Sequence, residues 1–401
     1  MVTPAEAQRL IWENLAPWPR EECPLALAHG RVLQMLLKAD RDLPPFDRVT
    51  MDGYALRSSA FASGVRTFQV EGVQAAGAVP QTLSASPQAC VEVMTGSVLP
   101  PGADCVVPYE DVTRTEGTIG VAAALDLKPG TFVHGRGSDH RAGETIVPSG
   151  TRLSGREIAV AAACGFTTLT VSRIPQVAVV ATGDELVEVE AEPEPHQIRR
   201  SNDYALRAAL MAAGYTRTER FHLRDLRVDI QELLRQVLGH FDAVLFTGGV
   251  SKGQFDFLPS ELEKQNVRRV LQGVAQRPGR PFWFGVSARS VPVFALPGNP
   301  ASAYTCLHRY VLPAFDRCSG LAPRRPEFAA LASPFRFRPA LACLLPVRLS
   351  SAPDARLLAE PVPGNTSGDF AGLVETDGFV ELPVAVQDFP AGYVAPLYRW
   401  V

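Results

Sequence analysis

Between residues 171 and 323 short apolar runs alternate with helical patterns, and this alternation restricts the fold more than any other feature of the sequence. The runs at 176–181, 241–246 and 292–295 predict buried strands, whereas 204–213, 230–238 and 301–315 predict helices. Strands and helices that alternate in this way are typical of a parallel sheet with helices on both faces. The sequence therefore predicts a doubly wound α/β/α layer in this part of the chain.

The chain on either side of this layer follows other patterns. Apolar residues recur at helical spacing near the start, so residues 1–40 predict one or two helices, and 154–164 predicts another. Short β-like runs separated by glycine and proline predict a β-rich module over 61–135 and a second small β domain beyond residue 323. A chain of 401 residues has room for about two to four domains. We therefore expect a multidomain α/β plus β protein.

Composition and charge argue against several classes of function. The formal net charge is −3 and no basic block occurs, so nothing indicates a nucleic acid as partner. The seven cysteines are odd in number and show no C-x-x-C spacing, which argues against a disulfide framework or a structural zinc site. No apolar run approaches the roughly 18 residues of a membrane span, and the first residues lack a secretory pattern. We expect a soluble, cytoplasmic protein.

Two of the loops that follow the predicted strands suit an anionic ligand. After the third strand, Asn299 and Pro300 fit the N-cap and first positions of a helix, whose N–H groups would face an anion, although an ordinary helix start has the same pattern. After the second strand, residues 247–253 hold three glycines in seven positions. Such a loop permits close approach to a phosphate or a pterin, or is a plain turn. It is not a Walker A loop.

Charged side chains accompany these loops. Asp184 and Glu185 follow the first strand and are either solvated surface or ligands of Mg²⁺, which favours one or two carboxylates together with substrate oxygens. Asp256, just beyond the glycine-rich loop, would add a carboxylate to the same pocket. Arg277 and Arg280 lie on a proline-containing turn, and their guanidinium groups suit bidentate recognition of phosphate or molybdate.

These loops, in this order and together with motifs upstream, resemble the molybdopterin molybdenumtransferase family, which includes MoeA and the gephyrin E-domain. The similarity spans nearly the whole chain, and the motifs occur in the family's order. The motifs outside the α/β layer are Leu43-Pro44-Pro45-Phe46-Asp47, Met51-Asp52-Gly53-Tyr54-Ala55, Met94-Thr95-Gly96, Leu99-Pro100-Pro101-Gly102-Ala103-Asp104, Val107-Pro108-Tyr109-Glu110, Arg136-Gly137-Ser138-Asp139 with Ala142-Gly143, and the segment 364–383.

The resemblance implies an elongated protomer of four parts and a homodimer. The parts would be a linking α/β domain over 21–43 and 136–172, an inserted β-rich domain over 44–135, a pterin-binding α/β/α domain over 1–20 and 173–322, and a C-terminal β domain over 323–401. The active site would lie between protomers, with the insertion coming from one subunit and the α/β/α domain from the other.

The resemblance also implies a reaction: molybdate is inserted into adenylylated molybdopterin with release of AMP, in the presence of Mg²⁺. The product would then pass to molybdoenzymes or their chaperones. Matched residue by residue, the catalytic candidates are Asp52, Thr95, Glu185 and Asp256, and the metal candidates are Asp184, Glu185 and Asp256. The substrate-binding candidates are Gly248, Gly249, Ser251, Pro297, Gly298, Asn299 and Pro300 for the pterin and its phosphate, Arg277, Arg280 and Ser302 for molybdate, and Ser201, Asn202 and Ser367.

Asp52 and Thr95 would enter the site from the partner subunit. Asp52 has a plainer interpretation as well, because in Met-Asp-Gly-Tyr an aspartate can simply cap a turn.

One segment departs from the family pattern. The family carries an acid just before its Ser/Thr-Asn helix start and an arginine just after, whereas this chain has Arg200 before and Asp203 after. A permanently cationic side chain cannot hold a metal or direct a water as an acid does. Arg277 and Arg280 also replace the family's usual lysines, and Phe257 replaces its frequent tyrosine.

Two alternatives stay open at this point. The protein could be a non-catalytic or divergent paralogue that carries the pterin or cofactor or serves as a scaffold, which Arg200 and Asp203 favour and the retained acids argue against. It could also be a tungstate-specific transferase, because tungstate and molybdate share their charge and nearly share their size. A related pterin-adenylating enzyme would carry Gly-Gly-Thr-Gly in the second loop and lack the insertion, so the sequence argues against it.

Overall fold

The computed structural model describes residues 1–223, 227–249, 258–362 and 368–401. These residues form two compact units. The larger unit comprises Met1–Gln34, Gly150–Ser154 and Leu169–Val401, and the smaller comprises Met35–Ser149 and Gly155–Thr168. In the described part of the chain, none of the helices combines the length and apolar character needed to cross a bilayer.

A six-stranded sheet forms the centre of the larger unit, in the order β2-β1-β3-β6-β5-β4. Its strands are β1 (Val177–Thr182), β2 (Thr218–Leu223), β3 (Ala243–Thr247), β4 (Arg268–Gln272), β5 (Trp283–Val286) and β6 (Pro292–Leu296). Strands β2, β1, β3 and β6 are parallel, whereas β5 and β4 run antiparallel to their neighbours. The predicted parallel sheet is therefore confirmed for these four strands, and the antiparallel edge is an addition that the sequence pattern did not predict.

Helices cover both faces of this sheet. They are α1 (Pro4–Glu13), α2 (Asn202–Ala212), α3 (Arg227–His240), α4 (Leu258–Lys264), α5 (Pro300–Cys306) and α6 (Leu312–Cys318), and a π-helical turn, Leu307–Val311, joins the last two. In β1, Val177 and Val179 pack with α1, α2, α5 and α6, whereas Ala178 and Val180 pack with α3 and α4. Because side chains of a strand alternate between faces, both faces must be apolar, and this explains the continuous apolar runs in the sequence. The doubly wound α/β/α layer is confirmed.

The C-terminal part of the larger unit is a small β-barrel. Strand Ala342–Ser351 pairs with both Leu357–Pro361 and Gly378–Leu382, and Glu327–Leu331 and Val394–Arg399 complete the circuit. The two-residue strand Gln276–Arg277 adds to Ala342–Ser351 in parallel. The turn that carries the predicted arginines is therefore attached to the barrel as well as to the α/β layer.

The first 40 residues contain one of the one or two predicted helices, α1. Pro17, Pro19 and Pro24 lack an amide hydrogen and interrupt any second helix. The remaining short elements of the larger unit are strands Arg20–Pro24, Thr168–Ser172, Leu186–Val187, Ile198–Arg199, Phe335–Arg336 and Asp388–Phe389, and 3-10 turns Leu25–Leu27 and Ala371–Leu373.

The smaller unit contains a second six-stranded sheet with apolar clusters on both faces. In sheet order its strands are Cys105–Pro108, Gly53–Leu56, Ala89–Val93, Thr67–Gln74, Thr118–Val121 and Val112–Thr115. Helices Ser58–Ala62 and Gly155–Ala163, the 3-10 turn Tyr109–Asp111, and strands Leu37–Lys38, Arg48–Val49, Val133–His134 and Thr145–Val147 complete it. The predicted β-rich module is present, and the multidomain α/β plus β class is confirmed.

Candidate functional site

A cavity of about 620 Å³ lies at the carboxyl ends of β1, β3 and β6. Its wall includes Thr182 and Gly183 after β1, Gly248 and Gly249 after β3, and residues 297–300 after β6. The strands are parallel, so their carboxyl ends meet at one edge of the sheet, where open α/β sheets bind ligands. The structure thus brings together the three loops that the sequence singled out.

Two of the wall glycines are required by their surroundings. Gly248 has φ of +94°, and a Cβ atom there would lie 2.6 Å from Thr182 Oγ1 and 2.9 Å from the Thr182 carbonyl oxygen. Gly183 has φ of +136°, and the carboxylate of Glu185 occupies the space that its side chain would need. A larger residue at either position would strain the backbone, and at Gly248 it would also push the β1 and β3 loops apart.

Asn202, the first residue of α2, ties two of these loops together. Its Nδ2 donates to Thr247 Oγ1 at 2.7 Å and to the Gly298 carbonyl oxygen at 2.7 Å. Both hydrogens of this amide therefore hold the ends of β3 and β6 in place. Ser201, the N-cap residue, makes no side-chain capping hydrogen bond and lines the cavity beside Asn202.

The departure from the family pattern lies in the same wall. Arg200 and Asp203 both belong to the cavity wall, although the Arg200 side chain is only 6% exposed and that of Asp203 is fully buried. Arg200 Nη2 lies 2.9 Å from Glu188 Oε2 and 3.6 Å from Asp203 Oδ2. Arg220 Nη1 lies 3.1 Å from the same Asp203 oxygen. The exchanged charges thus form a buried ion pair, to which Glu188 and Arg220 are added.

The structure describes two of the three predicted metal ligands. Glu185 lines the cavity and is exposed, and Asp184 is exposed but does not belong to the cavity wall. Asp256 lies outside the described residues, as do the substrate-binding candidates Ser251 and Ser367. Among the described residues no three His, Cys, Asp or Glu side chains are grouped as a metal site would need.

The residues predicted to bind molybdate do not reach the cavity wall. Arg277 and Arg280 are exposed on their turn, and Pro281, which follows them, lines the cavity. Arg280 Nε lies 3.2 Å from Met1 Sδ. Ser302, in the first turn of α5, is 3% exposed.

Asp52 and Thr95 belong to the smaller unit, and there the structure brings them together. Asp52 Oδ1 accepts hydrogen bonds from the Thr95 N–H at 2.6 Å and from Thr95 Oγ1 at 2.8 Å. These two bonds hold the pKa of Asp52 below its usual value because they stabilise the carboxylate form. Asp52 therefore contacts a residue 43 positions away, which differs from the local turn cap that was the plainer interpretation.

Sequence reasoning missed several wall residues. Leu186, Ile198 and Arg199 reach the cavity because strands Leu186–Val187 and Ile198–Arg199 pair in parallel beside it. The sequence signal for them was weak, because two-residue strands have no recognisable periodicity. The sequence marked Arg200 only as a departure from the family pattern. Its positive charge beside a predicted anion site was the signal that could have placed it on the cavity wall.

Comparisons with known proteins agree with this arrangement. Family models match along the chain: the MoeA N-terminal region (domains I and II) at residues 2–165, a probable molybdopterin binding domain at 178–317, and the MoeA C-terminal region (domain IV) at 329–400. A molybdopterin molybdenumtransferase from Synechocystis sp. is 40% identical over 93% of this chain and 93% of its own length. One from Staphylococcus epidermidis is 32% identical over 91% of this chain and 87% of its own.

Solved structures are similar over the full length. Two crystal structures of the molybdopterin biosynthesis MoeA protein from Pyrococcus horikoshii superpose with TM-scores of 0.82 and 0.85 at 29% and 25% identity. They cover 100% and 99% of this chain, and the chain covers 99% and 100% of them. The three family models, the full-length relatives and the shared fold together show that the chain belongs to the MoeA family of molybdopterin molybdenumtransferases.

Proposed function

We propose that this protein takes part in molybdenum cofactor synthesis by inserting molybdate into adenylylated molybdopterin with release of AMP. The observation that carries the proposal is the cavity, whose wall is formed by the loops after three strands and by the start of α2. The chain belongs to the family in which this reaction is expected. The glycines there let backbone N–H groups approach an anionic ligand closely. The matching family model for this layer is described as a probable molybdopterin binding domain, and the full-length relatives are named as transferases.

In this proposal the pterin and its phosphates lie against Gly248, Gly249 and residues 297–300. Asn202 keeps these loops in register through its two hydrogen bonds, and the hydroxyl of Ser201 faces the ligand. Ser251 and Ser367 are added on their sequence motifs alone.

Molybdate is assigned to the turn that carries Arg277 and Arg280. Both side chains are exposed, and Pro281 borders the cavity, so an oxyanion on this turn would lie next to the pterin loops. The hydroxyl of Ser302 is buried, and its part in molybdate binding rests only on the motif.

Mg²⁺ fits the carboxylate of Glu185 on the cavity wall, because this ion takes one or two protein carboxylates and completes its shell with substrate and water oxygens. Asp256 and Asp184 are the further candidates, and the ion would neutralise charge on the phosphate oxygens of the substrate. Asp52 and Thr95 would reach the site from the partner subunit of a homodimer. The hydrogen bonds from Thr95 support this role, since they keep Asp52 ionised and oriented.

The four-part division, the cytoplasmic location and the handover of the product to molybdoenzymes or their chaperones belong to the same proposal. A scaffold or a tungstate-specific enzyme is not favoured, because the relatives at 40% and 32% identity are both named molybdopterin molybdenumtransferase.

The decisive experiment measures AMP release from adenylylated molybdopterin by the purified protein with Mg²⁺, with and without molybdate. AMP release that depends on molybdate and yields a molybdenum-loaded pterin is the expected result. Asp52→Ala should abolish this activity and leave the dimer intact. Pterin binding without AMP release under molybdate or tungstate would instead support a carrier.

A further inference from the structure

The cluster around Arg200 has a charge balance that depends on one exposed residue. Two guanidinium groups, of Arg200 and Arg220, surround the single buried carboxylate of Asp203. Glu188 supplies the second negative charge and makes the cluster neutral. If Glu188 moves away, one positive charge remains on the cavity wall, and a guanidinium in low-dielectric surroundings binds an anion strongly.

The four members of the cluster differ in how firmly they are held. Asp203 is fully buried, and the guanidinium of Arg220 stacks over the Tyr204 ring, 3.6 Å from its centroid. The side chain of Glu188, by contrast, is 55% exposed and follows the end of strand Leu186–Val187. Exposed ion-pair partners contribute little and exchange readily with solvent. Glu188 is therefore the partner that a ligand can replace without disturbing the fold.

Arg200 also has hydrogen-bonding capacity that its neighbours do not use. Its Nε is buried without a hydrogen-bond partner among the described residues. Buried polar groups are normally paired, so an unpaired guanidinium nitrogen on a cavity wall points to a ligand. The start of α2, two residues on, adds backbone N–H groups that also favour an anion.

We propose that Arg200 binds an oxyanion of the ligand, a phosphate or molybdate, and that Glu188 is its counter-ion in the ligand-free protein, which the oxyanion displaces. The inference rests on the proposed function for the identity of the anion. It gives the exchanged arginine a binding role: the positive charge that replaces the family's acid holds the anion directly.

Displacement makes the two ends of this ion pair respond in opposite directions. Glu188→Gln removes the competitor for Arg200, so anion affinity rises, by about threefold to fivefold for an exposed ion pair. Arg200→Gln removes a charge-assisted contact, so affinity falls by about tenfold or more. Glu190→Gln is the matched control, because Glu190 is an exposed acid on the same segment and its loss changes the net charge equally.

The experiment is calorimetric titration of wild type and the three variants with AMP, with sodium molybdate and with adenosine. Tighter binding of AMP by Glu188→Gln, with adenosine and Glu190→Gln unchanged, assigns the phosphate to Arg200. Tighter binding of molybdate alone assigns the metal oxyanion. Equal or weaker binding of both anions by Glu188→Gln overturns the proposal, and so does an equal gain in Glu190→Gln, which would indicate only a general charge effect.

The test does not depend on whether Arg200→Gln folds, because Glu188→Gln carries it alone. Glu188 is exposed, and its substitution leaves Asp203 paired with Arg220. It also separates the two proposals. Anion binding with the predicted signs but without molybdate-dependent AMP release would refute the proposed function and leave the role of Arg200 standing. Turnover with unchanged anion affinity in Glu188→Gln would refute only the role of Arg200.

Discussion

Gly248→Ala is the substitution whose effect follows most directly from the geometry of the site. The added Cβ would lie 2.6 Å from Thr182 Oγ1 and 2.9 Å from the Thr182 carbonyl oxygen. The backbone at φ of +94° disfavours a side chain by about 1–3 kcal/mol, and relief of the overpacking costs about 1–3 kcal/mol more. We therefore expect a loss of about 3 kcal/mol in the free energy of unfolding, together with weaker ligand binding, because the β1 and β3 loops must separate.

Urea denaturation followed by tryptophan fluorescence measures this loss. All four tryptophans, at positions 12, 18, 283 and 400, lie in the larger unit, so the signal reports on the unit that contains the site. With a slope of about 3 kcal/mol per molar urea, the midpoint should fall by about 1 M.

Gly239→Ala is the matched control for this substitution. Gly239 lies in the last turn of α3, and a Cβ atom there has no heavy atom within 4 Å apart from its own helix and chain neighbours. Alanine stabilises a helix relative to glycine by about 0.5–1 kcal/mol, so this variant should unfold at slightly higher urea. Thr182→Ala in the Gly248→Ala background should restore only part of the loss, because the carbonyl contact remains. A wild-type midpoint for Gly248→Ala would refute the steric reasoning.

Three further outcomes are expected from the hydrogen bonds and burial of single side chains. Thr95→Val removes one of two hydrogen bonds to Asp52, so the pKa of Asp52 should rise toward its usual value in a carboxyl-carbon NMR titration, and no rise would contradict the contact. Burial lowers the pKa of His308 to about 4, so its contribution to stability is complete above the ordinary value of 6.5 and is lost as pH falls toward 4. His308→Gln should flatten that dependence by up to about 3 kcal/mol between pH 7 and pH 4, measured by urea denaturation. Burial raises the pKa of Cys105 and Cys318 to about 12, so a disulfide reagent at pH 8 should label them rapidly only after unfolding.

The α/β layer could be predicted from the sequence because its central strands are buried on both faces. Residues of β1, β3 and β6 are apolar at successive positions, and each strand is followed at once by a turn of glycine or proline. The direction of β4 and β5 left no such signal. Neither the mixed sequence of β4 nor the apolar run of β5 shows which way the strand runs, so the antiparallel edge depends on tertiary pairing alone.

Some residues of the candidate site could likewise be predicted from local sequence, whereas the positions of others depend on contacts that are distant in sequence. The glycines at 248 and 249 could be predicted as a ligand loop because glycine tolerates positive φ whatever its surroundings. The position of the arginine turn could not be predicted, because Arg277 owes it to pairing with Cys343 of the barrel. Ser302 matched a motif, but motif matching does not predict that its side chain is buried.

Arg200 shows why a charge cannot be interpreted from its neighbours in sequence alone. Next to Ser201 and Asn202 it stands where the family has an acid, and this departure was the feature that favoured a non-catalytic or divergent paralogue. In the fold, Asp203 Oδ2 lies 3.6 Å from Arg200 Nη2, so the two exchanged charges form an ion pair with each other. Both residues belong to the cavity wall, but the carboxylate of Asp203 is fully buried beside two guanidinium groups, whereas Arg200 has its other partner in the exposed Glu188. In our proposal, an anion that displaces Glu188 meets a positive charge at the position where the family has an acid.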